Sequence, residues 1–143
     1  MDPSTDHEAV VSAVKETVCA DPAVVFAVGF GSRFSEESTQ SSDFDIAVKF
    51  ADELSRRERF EKWCFLSGAV QQDKGPFIDI SDIDSLPVPV AQDAVSGEFL
   101  CGSEEVFEQF KSDTEAEFTE QRERRHQEQR AGIERIAEDG LRG

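Results

Sequence analysis

The chain has 143 residues, and 15 Lys+Arg against 31 Asp+Glu give it a net charge of −16. That length fits one domain with an appended tail. The charge argues against an extended nucleic-acid footprint or an anionic membrane surface, both of which need a basic face. It leaves nucleotides open, because a divalent cation can bridge their phosphates to carboxylates. Hydrophobic residues, 38% of the chain with 12 Phe, suffice for one core. The acids are spread along the chain and only 5 of the basic residues are Lys. This spread is unlike a local acidic arm. It reads as a surface suited to molar salt, where the Debye length is about 3 Å, in preference to partial disorder, because apolar periodicity persists through most of the chain. No stretch approaches the ~18 apolar residues of a membrane span. Met1 to His7 is acidic and polar, unlike a secretory signal, so a cytoplasmic location is expected. Cys19, Cys64 and Cys101 are odd in number and far apart. They read as three buried thiols in a reducing compartment rather than a disulfide framework.

Val10, Val11, Val14 and Val18 repeat at helical spacing, predicting a helix over 9–19 that Asp6 caps and Asp21-Pro22 ends. The apolar run 23–28 predicts a buried strand, followed by a turn at Gly29-Phe30-Gly31-Ser32 and a polar loop over 35–42. A second strand is expected over 43–50, with Asp43, Asp45 and Ala47 on one face and Phe44, Ile46 and Val48 on the other. A helix over 54–70 turns Leu54, Phe60, Trp63, Cys64 and Val70 toward the core. Lys74-Gly75-Pro76 breaks the pattern before a third strand over 77–81. A short helix over 87–95 starts near a proline, and a strand over 98–101 follows. Ser103 then caps a helix carrying Val106, Phe107, Phe110 and Phe118. From Thr119 the composition changes, with no large apolar residue over 120–130. The expected organisation is a domain over 1–118 and a charged helical C-terminal extension over 119–143.

The chemistry-bearing stretch is 31–45. Asp43 and Asp45 flank Phe44, so on a strand their carboxylates share a face about 7 Å apart. Carboxylates this close repel unless a cation lies between them, and a divalent metal is the simplest such cation. Gly31 lacks a Cβ, so backbone N–H groups can approach phosphate oxygens there, and Ser32 adds a hydroxyl. A third carboxylate on a neighbouring strand completes a two-metal site. Asp79, alone in the apolar run 77–80, is the natural candidate, with Asp82 and Asp84 as alternatives if the register slips.

Gly31-Ser32, ten further residues and Asp43-Phe44-Asp45 resemble the G-S-x10-D-x-D signature of the DNA polymerase beta superfamily of nucleotidyltransferases. The wider run Val28 to Val48, and Ile78-Asp79-Ile80-Ser81-Asp82-Ile83, are similar to the minimal nucleotidyltransferases (MNT). The acidic, Lys-poor balance resembles proteins of salt-adapted archaea. Over residues 8–118 the family resemblance implies an α/β (α+β) fold, a mixed sheet flanked by helices. It implies Asp43, Asp45 and Asp79 as catalytic metal ligands for Mg²⁺, with two ions and with Mn²⁺ as a substitute. It places the nucleotide around Gly31 and Ser32, with Arg33 and Ser42 as further candidate contacts. The implied reaction moves a nucleoside monophosphate, most often AMP from ATP, and releases pyrophosphate. MNT proteins commonly pair with HEPN-domain toxins, so the implied acceptor is a hydroxyl of such a partner. Ser35 and Glu36 depart from the G-S-R-A-R-G pattern of many members, removing one basic contact and adding an acid near the phosphates.

A reading of a different class is an MNT-fold module that masks its partner without turnover, docking through the helix after Ser103. Transfer to a small molecule such as an aminoglycoside fits less well, since the chain leaves little room for a separate acceptor domain. His7 and His126 read as solvated, and Arg122 to Arg125 as helical ion-pair partners of Glu120 and Glu128. Self-association stays open, and so does the choice of base.

Overall fold

The computed structural model describes residues 3–31, 43–72 and 75–142, with side chains described from 6 to 133 within them. In chain order the elements are α1 (Pro3–Thr17), β1 (Val24–Phe30), β2 (Phe44–Phe50), α2 (Arg56–Ala69) and β3 (Ile78–Asp82). A 3-10 turn (Ile83–Ser85), α3 (Val88–Val95), β4 (Glu98–Gly102) and α4 (Glu104–Arg142) complete them. The strands form one sheet in the order β3-β2-β1-β4. β1 runs antiparallel to β2 and β4, whereas β2 and β3 are parallel. A parallel pair needs a long crossover, which α2 supplies. The expected mixed sheet flanked by helices is the observed fold.

Alternation along the strands builds two cores. Phe44, Ile46 and Val48 pack with Ile78 and Ile80 under α1 (Val10, Val14), Val18 just past its end, and α2 (Leu66). Phe26, Val28 and Ala47 pack on the other face under α3 (Ala94, Val95) and α4 (Phe107). Asp43 and Asp45 share the parity of Ala47 and so belong to the α3/α4 face.

Local signals set several boundaries. Ser55 and Glu58 form a capping box that starts α2: Glu58 N–H donates to Ser55 Oγ (3.1 Å) and Ser55 N–H donates to Glu58 Oε1 (2.9 Å). Ser103 caps α4 as expected, accepting from Val106 N–H at 3.2 Å. α1 begins at Pro3, so Asp6 sits within its first turn instead of capping it. β1 continues through Phe30, because pairing with Ile46 and Asp45 holds Gly29 and Phe30 extended where a turn was expected. α4 runs 39 residues without a break, about 58 Å at 1.5 Å per residue. Its buried contacts end near Thr114, and 122–131 is exposed. Among the described residues no helix is long and apolar enough to cross a membrane.

Three expectations fail for tertiary reasons. Cys19 and Cys101 form a disulfide with Cα atoms 6.1 Å apart. β4 pairs with β1, placing Cys101 opposite Ala27 and bringing it back to the turn that follows α1. Cys64 is a free, exposed thiol. Phe60, expected in the core, is 62% exposed, as is the neighbouring Phe65 at 66%. The buried stripe of α2 is carried instead by Leu66, with Trp63 and Val70 beside it. His7 is tied to Glu98 at 2.8 Å, joining α1 to β4 instead of standing in solvent.

Candidate active site

Register brings the expected residues together. Phe30 lies opposite Asp45 in the β1/β2 pair, so the chain leaves β1 beside the start of β2. Gly31 follows with φ +85°, and a Cβ built there would stand 2.6 Å from Asp45 Oδ2. The position needs glycine for its backbone conformation and for the closeness of the carboxylate. On the other side of β2, Asp45 lies opposite Asp79 of the parallel β3. Register partners in adjacent strands point to one face at a spacing of about 4.8 Å. Asp43 lies two residues before Asp45 on that face. Asp43 and Asp79 are exposed and Asp45 is half-buried.

These carboxylates interact. Desolvation raises the Asp45 carboxyl above the ordinary aspartate value, and the charges of Asp79 and Asp43 raise it further. Among the described residues no cation pairs with any of the three. Their donor set is all oxygen, the kind that hard divalent cations take, and the repulsion at Asp45 is what such a cation relieves. Among the described residues no group of three or more His, Cys, Asp or Glu side chains is drawn tightly enough to enclose an ion. The three carboxylates are thus neighbours by register and repulsion, without a closed shell.

The alternatives Asp82 and Asp84 are engaged elsewhere. Asp82 accepts from Asp84 N–H at 3.0 Å and starts the 3-10 turn. Lys49 Nζ donates to Asp84 (2.8 Å), Asp52 (2.8 Å) and the Phe50 carbonyl (3.1 Å). Arg59 Nη1 stands 3.7 Å from Asp82 and 3.8 Å from Asp84. Ser32, Arg33 and Ser42, together with Ser35 and Glu36, lie outside the described residues.

Two features escaped sequence reasoning. Lys49 is a nearly buried cation in an otherwise apolar strand end; that burial demands partners, and its isolation among Val48 and Phe50 was the available signal. The second is a cleft of about 770 Å³ along the outer edge of β3, running from Asp79 to the α2 residues Arg59, Phe60 and Trp63. No local pattern announces it, since its walls come from separate elements.

Residues 12–106 match the family described as "Polymerase beta, Nucleotidyltransferase". No curated protein matches the chain. Among solved structures, one similar chain comes from a toxin–antitoxin crystallised with AMP-PNP (23% identity, TM-score 0.60, covering 83% of this chain and 91% of that one). Another comes from a mutant of the toxin–antitoxin MntA-HpeT (26% identity, TM-score 0.59, 84% and 91%). A third comes from a tri-AMPylated Shewanella oneidensis HEPN toxin in complex with its MNT antitoxin (21% identity, TM-score 0.56, 87% and 93%). The matched family stretch is well over half of the chain and contains Gly31, Asp43, Asp45 and Asp79, and the chain therefore belongs to the polymerase beta nucleotidyltransferase family.

Proposed function

We propose that the protein is a minimal nucleotidyltransferase that moves AMP from ATP to a side-chain hydroxyl of a HEPN-domain partner, acting as the antitoxin of the pair. One observation carries this reading: the register of β1, β2 and β3 sets Gly31, Asp45 and Asp79 side by side. Similarity to a complex crystallised with AMP-PNP, and to one holding a tri-AMPylated HEPN toxin, supports the choice of nucleotide and acceptor. Asp43, Asp45 and Asp79 would hold Mg²⁺, two ions in the full arrangement, with Mn²⁺ as a substitute. Bound there, the ion would supply Lewis-acid charge to the α-phosphate and the acceptor hydroxyl.

The chain's own residues divide the remaining work. The Gly31 turn admits the β,γ-phosphates to the backbone, and Ser32, Arg33 and Ser42 are assigned to the nucleotide. Asp79, exposed on the outermost strand, accepts the acceptor's proton. The O–H bond breaks, the acceptor oxygen bonds to the α-phosphorus, and pyrophosphate departs with the bridging oxygen. The domain over 1–118 holds the chemistry, and the charged C-terminal extension runs over 119–143. The protein acts in the cytoplasm, and its acidic surface is suited to high salt.

The test uses labelled ATP, Mg²⁺ and the product of the neighbouring gene as the HEPN-domain candidate, in high salt. Wild-type protein should label the partner, and Asp43→Asn should not. If the two proteins form a silenced complex with no label in wild type, the transferase reading fails and the masking module takes its place.

A further inference from the structure

Across the sheet the features of the site fall in one line: the Gly31 turn after β1, Asp45 on β2 and Asp79 on β3. Beyond Asp79 the described residues add no strand. The next feature outward is the cleft of about 770 Å³, a size within the ~300–1,000 Å³ range of ligand pockets. α2 forms one wall with Arg59, Phe60 and Trp63, Leu86 lies on the other, and Asp79 and Ser81 line β3 between them.

Three observations point to an occupant. Phe60 is 62% exposed and tilted beside Trp63 with ring centroids 5.8 Å apart, an aromatic shelf that faces solvent. Arg59 Nε is shielded from solvent and has no hydrogen-bond partner, while its Nη1 reaches Asp82 and Asp84 only at 3.7 and 3.8 Å. A sheltered donor without an acceptor is costly unless an oxygen arrives to meet it. The edge of β3 itself is closed. Gln71 pairs with Ile78 through both its amide atoms, and Trp63 Nε1 donates to the Ile80 carbonyl at 2.6 Å. A ligand therefore cannot add a strand along 78–80 and must be read by side chains.

We propose that this cleft is the acceptor subsite, holding a short segment of the partner protein. The segment's hydroxyl-bearing residue reaches Asp79, an apolar or aromatic neighbour lies on Phe60 and Trp63, and a backbone carbonyl accepts from Arg59 Nε. This assignment rests on the transferase reading above. Continuity with Asp79 argues for the acceptor as occupant, and the linear order argues against the nucleotide, whose phosphates belong at the Gly31 turn two strands away. Phe60 and Arg59 then set acceptor specificity without touching the reacting atoms.

Phe60→Asp alters a mostly exposed side chain, so Tm should stay within a degree or two of wild type. With the HEPN-domain partner as acceptor, its KM should rise by about tenfold or more, with a smaller rise in Phe60→Ala. The Kd for ATP, measured by calorimetry, should not change. A weakened Kd for ATP would assign the cleft to the nucleotide base and overturn the proposal, and an unchanged KM and Kd would overturn it too. Partner affinity without nucleotide separates the two readings. If wild type transfers nothing but Phe60→Asp still weakens the complex about tenfold, the cleft holds the partner and only the transferase reading falls. If wild type transfers AMP and Phe60→Asp binds and labels the partner equally well, the cleft assignment falls alone.

Discussion

At the start of β2, Asp45 lies between Asp79 and the Gly31 turn, with Asp43 two residues away, and no cation among the described residues answers them. Four residues further along the same strand and face, Lys49 is bound by Asp52, Asp84 and the Phe50 carbonyl, and Arg59 stands near Asp82 and Asp84. Both ends concentrate carboxylates. At the Lys49 end burial works to lower the ammonium's pKa, but the bonds to Asp52 and Asp84 carry it above the ordinary lysine value. The same bond holds Asp52 below the ordinary carboxylate value. At the Asp45 end burial and like charge act together and push the carboxyl up. Carboxylates that serve the fold come with their counter-charges built in. Carboxylates left to repel one another mark the place where an outside charge is to bind.

Substitutions at the two ends should therefore separate activity from stability. The largest effect is expected from Asp43→Asn, Asp45→Asn or Asp79→Asn. Each should cut nucleotidyl transfer by about 10²-fold or more, the scale of losing one group that organises transition-state charge. Thermal unfolding should stay at or above the wild-type temperature, since repulsion is removed. If Asp84→Asn abolishes transfer and Asp79→Asn leaves it intact, the register-based assignment of the third carboxylate is wrong. Gly31→Ala comes next. Its Cβ would meet Asp45 Oδ2, and displacing a carboxylate of the proposed site should cost about 10²-fold in transfer. The backbone strain should cost about 1–2 kcal/mol in denaturant unfolding. Equal activity in that variant would separate Asp45 from the chemistry.

Lys49→Met should reverse the pattern, lowering stability by about 1–2 kcal/mol while sparing transfer per folded molecule. The exposure of Asp52 keeps that figure at the low end. The pH dependence follows from the signs of the shifts. The raised pKa of Lys49 contributes stability below the ordinary lysine value and loses it as pH climbs through the folded value. The lowered pKa of Asp52 contributes above the ordinary carboxylate range and loses it as pH falls through the folded value. Wild type should thus hold a plateau between these ranges that Lys49→Met flattens, measured as Tm against pH. The smallest effect is expected from salt. Tm should fall by a few degrees in dilute buffer as the −16 surface loses its screening. Full stability in dilute buffer would count against a salt-adapted surface.

Much of this was legible locally. The parity of Asp43, Asp45 and Ala47 against Phe44, Ile46 and Val48 follows from the strand repeat alone, and both cores obey it. Ser103 as a cap and Pro87 at the start of α3 are likewise decided within a few residues. The Ser55 to Glu58 capping box was equally local and went unread. Phe60 misled because its hydrophobicity is the same on a core face and on an exposed shelf. Only the neighbours of α2 decide between them.

The sequence by itself determined the acidic character, the order of elements and the Gly31, Asp43, Asp45 spacing, because these depend on composition and on contacts within one turn or strand. Tertiary structure alone decided that Asp79 and not Asp84 stands beside Asp45, since that is a matter of register between strands joined through α2. It also decided that Cys19 meets Cys101 across an 82-residue separation, and that Lys49 finds Asp84. It alone opened the cleft beyond β3, whose walls α2 and Leu86 approach one another only once the sheet has been laid down.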